Sequence, residues 1–451
     1  MSAAAATAGE RFPDLPTGHV GHDARAAVGG RLRVATVVSG ALWVLLAGNL
    51  VRLPGLTSGA REAPLSVNDL AVLGVLLAGL LACFGARSLA VDAVARRALA
   101  FAAVGGASAV WAVPRFGLSG TELAFSLAYL LRWLVYFALY LVVVNGVRRA
   151  DVPGVVGTLE RVIVLFAAFG IVQSLFLPGF AQLVHPESAL YVDWDPQGHR
   201  LVSTWLDPNF AGAFLMMGVL LTLARVSCGA SGLAGRLALL TLALLLTASR
   251  SSMLAAAVGA LAVALIVGVS RRVVRIGAAL LLLALPAVPA LLTFARSYNK
   301  LAIDASALTR LVSWLRALTI FGDHPVVGIG FNTYGFVQRA YGGEAGRGAF
   351  AFSLDGGLLF IAVMTGVVGL AIYVAMVARV VRHARGVWRS AWAAPDERAL
   401  AIGAVAVTAG LAVHSIFVNS LLLPFLMEPL WILWGLVFVV AAAPVREGEV
   451  T

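Results

Sequence analysis

The chain has 451 residues, of which 61% are hydrophobic and 12% charged, with a mean hydropathy of +0.93. Soluble domains carry about 25% charged residues, so this share excludes an ordinary soluble enzyme and describes a membrane protein. The net charge of +11 does not call for nucleic acid: arginine supplies every basic residue except Lys300, and arginine-rich connections between apolar runs follow the positive-inside rule.

Residues 1–30 are polar, with Pro, Gly and Arg, and lack an apolar core followed by a cleavage site. They predict a disordered cytoplasmic tail ahead of an uncleaved signal-anchor. Apolar runs then follow at about 34–53, 67–85, 97–113, 123–146, 157–177, 209–225, 233–249, 252–270, 275–294, 356–380, 399–420 and 424–443. Each suffices to cross a hydrocarbon core of about 30 Å. The expected fold is all-α, a polytopic protein of about twelve transmembrane helices forming a single domain over 31–445, with a short tail at 446–451. Cys83 falls within a span and Cys228 in a short turn, which argues against a disulfide or a metal site. Arginines such as Arg31, Arg33, Arg96, Arg97, Arg148, Arg149, Arg225, Arg236, Arg271 and Arg382 gather on one side of the predicted spans. That side is cytoplasmic and holds both termini.

Two connections on the opposite face are long, 178–208 and 295–355. The first contains His185, Glu187, Asp193, Trp194, Asp195, His199, Arg200 and Asp207. The second places Arg296, Lys300, Arg310, Arg316, Arg339 and Arg347 where the charge bias disfavours them. Within it, apolar residues at 308, 311, 312, 315, 318 and 320–321 have the period of an amphipathic helix lying on the membrane surface or the bundle. Arg310 and Arg316 fall mainly on its other side. No internal repeat is visible.

Thr247-Ala-Ser-Arg-Ser-Ser252 lies between two nearly contiguous spans, placing Arg250 at the bilayer edge. It is either a snorkelling arginine on a tight turn or a phosphate clamp, since a guanidinium meets phosphate oxygens with a bidentate fork. Asp207 and Asn209 around Pro208 read as a turn and helix cap; Arg200 has no such local role. Arg310 and Trp314 share a helix face, as an interfacial anchor or at a sugar–diphosphate boundary. Asp323-His-Pro-Val-Val-Gly-Ile-Gly-Phe-Asn-Thr-Tyr-Gly335 has glycines at 328, 330 and 335 that permit a tight backbone beside a ligand or a packed helix. His324 within it is a structural residue or an alternative base. Asp355 opens the tenth span, where the helix dipole favours a carboxylate; a base held at the membrane face has the same placement. His414 to Asn419 brings polar groups into the eleventh span, where they serve as helix glue or mark a site.

In this order the segments resemble the O-antigen ligase and O-antigen polymerase superfamily of polytopic bacterial glycosyltransferases. The likeness runs from Arg200 with Asp207-Pro208-Asn209, through Thr247–Ser252, Arg310 with Trp314, and His324-Pro325 with Gly328–Gly335, to Asp355 and Gly366–Leu370. The resemblance implies an inner-membrane enzyme that takes a glycan from an undecaprenyl diphosphate donor on the extracytoplasmic face. The acceptor is a glycan or lipid hydroxyl. Membrane lipids and a chain-length regulator are the other expected partners, and nucleic acid is not one. It also implies that Arg250 and Arg310 hold the diphosphate; read from the residues themselves, Arg200 and Arg339 are further candidate cations and Trp314, Asn209 and Tyr334 candidates for the substrate groove. In the ligases the tenth-span motif begins with His-Asn. Here Asp355-Gly356 stands there, and polymerase-like members carry an acid at that position. The expectation is a repeat-unit polymerase of O-antigen, capsule or exopolysaccharide, with a ligase as the alternative.

Glycosyl transfer from a lipid diphosphate needs a positive site for the leaving group, a base for the acceptor and an apolar groove for the polyprenyl chain. Asp355 fits the base, with His324 and Glu344 as substitutes. No Asp-x-Asp stands in the longer loop, and the Asp193-Trp-Asp195 triplet is the exception in the shorter one. The expectation is therefore no metal and no cofactor. A transporter is the main rival. Carriers place ions near the bilayer midplane, where Arg132, Glu160, Arg161 and Glu428 are the candidates.

Overall fold

Inside hydrocarbon a backbone N–H or C=O finds no water, so an apolar run crosses only as a helix or as part of a closed barrel. In the computed structural model the chain takes the first route. The structure describes residues 34–58, 61–83, 89–186, 199–270, 305–341 and 354–442. The helices are α1 (Val34–Val44), α2 (Val67–Cys83), α3 (Ala93–Phe116), α4 (Gly120–Gly146), α5 (Val152–Phe176), α6 (Phe180–Val184) and α7 (Pro208–Ser227). They continue with α8 (Ala234–Leu246), α9 (Arg250–Val267), α10 (Ala305–Asp323), α11 (Tyr334–Val337), α12 (Gly357–Arg389), α13 (Pro395–Phe417) and α14 (Pro424–Ala441).

Among the described residues, eight helices (α3, α4, α5, α7, α9, α12, α13 and α14) are long and apolar enough to cross a membrane, and α1, α2 and α8 are shorter apolar helices. These eleven coincide with eleven expected spans, and the chain is an all-α polytopic membrane protein. The expected span 275–294 lies outside the described residues, as do the tails 1–30 and 446–451, Asp193-Trp-Asp195, Lys300 and Glu344.

The first span is shorter than its hydropathy suggests. Trp205 Nε1 donates to the Leu45 carbonyl at 3.0 Å, and Asn49 bonds Thr204 O and Trp205 O through its backbone N–H (2.9 Å) and side-chain amide (3.0 Å). The chain after α1 is thereby drawn onto the turn before α7. It then forms an antiparallel hairpin, β1 (Arg52–Ser58) and β2 (Arg61–Ser66), pairing Arg52 with Ser66 and Ser58 with Arg61. The register shifts between Leu53 and Leu56, around Pro54, which has no N–H to give the ladder. An all-helical expectation has no place for this hairpin.

The core sits around α14, the most enclosed of the eight long helices. Trp431 and Trp434 of α14 pack edge-on at 5.0 Å, and Trp431 meets Trp133 and Phe137 of α4 at 5.7 and 5.3 Å. Aromatic pairs of this geometry contribute about 0.5–1.5 kcal/mol each beyond area burial.

Some polar groups within the bundle are paired, whereas both carboxylate oxygens of the buried Glu428 have no hydrogen-bond partner among the described residues. Arg132 forks onto Asp69 (3.0 and 2.5 Å), which also accepts from Tyr136 at 3.0 Å. Glu160 accepts from both Arg225 and Arg236 at 2.6 Å. Arg149, stacked over Trp392 at 4.9 Å, forks onto Glu397. The last two groups brace the bundle at the starts of α5, α8 and α13 and the end of α7. Arg132 and Glu160 are thus engaged in ion pairs.

Helix α12 is broken at Gly366, whose φ is 66° and ψ −171°. The break frees backbone groups that the segment after α10 satisfies. Ile329 N–H and Gly330 N–H donate to Val363 O and Met364 O at 3.0 Å, and Val367 N–H donates to Pro325 O at 2.7 Å. Non-helical backbone at such depth persists only when protein groups meet it. A Cβ on Gly366 would lie 2.0 Å from Val326 O, and one on Gly328 2.5 Å from Val363 O. Of the two readings of the glycine run, the packed helix is the one observed.

Helix α10 spans the predicted amphipathic stretch, and of the two expected placements its apolar stripe takes the outward one. Ala317 and Ile320 are buried, whereas Leu311, Val312, Leu315 and Leu318 are each at least half exposed. Its polar flank, with Arg310, faces α12, and the aliphatic stripe points away from the bundle, where acyl chains cover such surfaces.

The break yields a stability prediction. Gly366→Ala combines a left-handed φ with a clash, a backbone penalty of about 1–3 kcal/mol before the clash itself, so its melting temperature in detergent falls well below wild type. Gly386→Ala, with nothing within 4 Å of the new methyl, is neutral or stabilising by up to about 1 kcal/mol.

Candidate active site

Three helices begin at the same end of the bundle, and their first residues carry the polar motifs. Asp207 caps α7, its Oδ1 accepting from Asn209 N (2.7 Å) and Phe210 N (3.1 Å), with Pro208 at the first helical position. That is the cap its sequence predicts. Ser249 caps α9, its hydroxyl accepting from Ser252 N, so Arg250 stands at the first helical position. Asp355 and Gly356 lead into α12. A helix start carries a partial positive charge from unpaired N–H groups, so three together favour an anion.

The side chains are tied across these starts. Ser249 Oγ bonds Asn209 Oδ1 at 2.9 Å and Ser252 Oγ at 2.9 Å, and Ser252 Oγ donates to Asn209 O at 3.1 Å. Arg200 reaches the turn before α9, its Nε donating to Thr247 O at 2.9 Å and its terminal nitrogen to Ala248 O at 3.4 Å. Ser249, Ser251 and Ser252 are buried while Arg250 is exposed: the hydroxyls anchor the turn and leave the guanidinium outward.

Arg310 and Trp314 of α10 both engage Asp355, as their four-residue spacing allows. Arg310 Nε lies 3.3 Å from Asp355 Oδ2, and Trp314 Nε1 donates to the Asp355 carbonyl at 2.6 Å. Gly356 follows with φ 119°; a Cβ there would meet Ile416 O at 2.9 Å and Trp314 Nε1 at 3.4 Å. Only glycine lets α13, Trp314 and Asp355 close together here. Arg250 and Arg310 lie within each other's electrostatic reach, and Asp207 feels both Arg200 and Asp355.

Burial pushes the Asp355 carboxyl above the ordinary carboxylate range, and the Arg310 guanidinium opposes that shift without cancelling it. The side chain is nonetheless 39% exposed, so the carboxyl is both perturbed and reachable. Asp207 is raised by burial too, against the pull of the Phe210 and Asn209 amides and Arg200.

Of the sequence-derived site residues, Arg200, Asn209, Arg250, Arg310, Trp314 and Asp355 come together. Tyr334 lies beside them, buried edge-on against Phe360 at 6.2 Å and hydrogen-bonded to Ser313 of α10, next to Trp314. Two do not join them. His324 lies past the far end of α10, about 20 Å along the helix from Arg310 at 1.5 Å per residue. There its Nε2 meets the Tyr341 hydroxyl at 3.1 Å, and Tyr341 donates to Asp323 at 2.9 Å. Burial and Arg115 hold the His324 imidazole below its ordinary range. Arg339 bonds Glu122 at 2.6 Å and the Phe336 carbonyl at 3.1 Å. With Tyr334 they hold the segment after α10 against α3, α4 and α12.

The sequence reading left His414 outside the site. It is fully buried near the end of α13, with Ser252 Oγ 3.0 Å from Nε2 and the Ser420 hydroxyl on Nδ1. The signal was there, as a histidine inside an apolar span is costly unless bonded, but nothing in the sequence names its partners.

Among the described residues no group of three or more His, Cys, Asp or Glu side chains could hold a metal ion. Comparison with curated proteins finds no match. A family model described as O-Antigen ligase matches residues 236–374. That stretch, under a third of the chain, holds Arg250, Arg310, Trp314, Asp355 and the Gly366 break, and over it the chain is similar to that family.

Proposed function

We propose that this membrane protein is a glycosyltransferase that moves a glycan from an undecaprenyl diphosphate donor to an acceptor hydroxyl on the extracytoplasmic face of the inner membrane. The family match supports glycosyltransferase-type chemistry. The observation that carries the finer reading is the convergence of Arg200, Arg250 and Arg310 on helix starts beside a raised, accessible carboxyl. Guanidinium forks and helix N-termini stabilise charge that grows on a departing diphosphate. In this reading the cations do so without a divalent metal. Asp355, ionised, takes the proton from the acceptor hydroxyl as that oxygen attacks the anomeric carbon. The bond to the diphosphate breaks on the opposite side, so configuration inverts.

The reading favours a repeat-unit polymerase of O-antigen, capsule or exopolysaccharide, because an acid and a glycine occupy the position where ligases carry His-Asn. Ligation to a lipid acceptor is the second reading, favoured by the description of the matched family. The arginine pattern supports the orientation, with both termini cytoplasmic.

Purified protein given a lipid-linked oligosaccharide should release polyprenyl diphosphate, with activity retained in EDTA; a carrier would release none. Arg250→Ala and Arg310→Ala should each lower turnover about 100-fold or more, as loss of a charge-stabilising donor does, and unchanged rates would remove the clamp. Turnover should rise with pH along an acid limb lying above the ordinary aspartate value of about 3.9, because Asp355 must lose a proton that burial helps it keep. Arg310→Gln removes the opposing charge and should move that limb to higher pH; Asp355→Asn should abolish it. Full activity of Asp355→Asn would send the base elsewhere. In a deletion strain, single repeat units mark a lost polymerase, and unattached long chains mark a lost ligase.

A further inference from the structure

His414 has a place in the fold that packing alone does not explain. Its ring is completely enclosed, yet both nitrogens are hydrogen-bonded, one to the first turn of α9 and the other to the turn after α13. Nε2 lies 3.0 Å from the Ser252 hydroxyl and Nδ1 meets the Ser420 hydroxyl, and the tautomer decides which member of each pair donates. A neutral imidazole offers one donor and one acceptor, and both are used.

That bond reaches the site through one residue. Ser252 also bonds Ser249, the α9 cap, and Ser249 bonds the Asn209 side chain. Arg250 projects from the turn between those two serines. The chain Ser420–His414–Ser252–Asn209 thus joins α13, α9 and the start of α7 behind the outward guanidinium.

We propose that His414 is a positioning residue of the transferase: the hydrogen bond at its Nε2 holds Ser252, and with it the first turn of α9, so that Arg250 meets the donor diphosphate in register. The assignment rests on the transferase reading above. His414 touches no reacting atom and takes no proton from the acceptor. Orientation errors of about 1 Å in a charged group cost as much as 100-fold in rate, so loss of this bond should be seen in turnover with the protein still folded.

The test uses the full-length protein, with thermal unfolding to verify folding and two readouts: turnover of a lipid-linked oligosaccharide, and stabilisation by inorganic pyrophosphate. His414→Phe fills the volume without either hydrogen bond and should lower kcat about tenfold or more. His414→Gln, whose amide can donate to Ser252, should restore kcat to within about threefold of wild type. Ser252→Ala should match His414→Phe, and the double variant should be no slower than either, as for groups acting as one unit. Pyrophosphate stabilisation should weaken in His414→Phe as it does in Arg250→Ala, and recover in His414→Gln. A folded His414→Phe with wild-type turnover and pyrophosphate response overturns the proposal, as does a His414→Gln no better than the Phe variant. Should His414→Phe not fold, Ser252→Ala decides: wild-type turnover in that variant overturns it. A wild-type protein that neither turns over nor responds to pyrophosphate defeats the transferase reading, and His414 falls with it. If the wild type responds to pyrophosphate but does not turn over, the variants' pyrophosphate response decides alone.

Discussion

The backbone pairing between the break in α12 and residues 325–330 is the constraint on which the rest depends. A helix interrupted inside a bundle has carbonyls and amides without partners, and unmet groups there cost several kcal/mol each in hydrocarbon. The 325–330 segment meets them with its own backbone. It can do so only by following α12 closely, and that sends α10 back along α12 toward its start. Arg310 and Asp355, 45 residues apart, meet because the chain between them is pinned partway. The glycines at 328 and 366 are therefore part of the site without lying in it.

The two ends of the bundle use arginine differently. At one end Arg149, Arg225 and Arg236 are absorbed by Glu397 and Glu160, carboxylates that are largely buried. These pairs fix helix positions, and a partnered guanidinium has little charge left for a ligand. At the other end, among the described residues, Arg200, Arg250 and Arg310 lie near Asp207 and Asp355, and Asp207 is occupied in capping α7, beside the positive ends of α7, α9 and α12.

Much of this was legible in the sequence, for identifiable reasons. Spans and caps are local: apolar run length and the Asp-Pro-Asn signal fixed α7, and the i,i+4 spacing put Arg310 and Trp314 on one face. What failed was long-range or depended on solvent. The stripe on α10 was legible as apolar, but which of its two expected surfaces it meets was not; α10 turns Leu311, Leu315 and Leu318 outward. His324 was grouped with the site by nearness in sequence, whereas α10 carries it about 20 Å along the helix from Arg310, and Arg339 is taken up by Glu122. The hairpin at 52–66 was hidden because what ends α1 is a tryptophan 160 residues downstream. His414 was seen as a buried polar group but not as a bridge, since Ser252 and Ser420 become neighbours only through the packing of α9 and α13.

The Arg310–Asp355 pair has a consequence for how such a pocket fills. In the structure the guanidinium is engaged by an internal anion, so under the proposed reading an arriving one would swap places with a resident counter-ion, as on an exchange resin. Swapping one negative partner for another spares much of the dehydration of a bare cation. Under the same reading the swap would release the carboxylate as the visitor is seated, making loading of the cation and unmasking of the acid a single event.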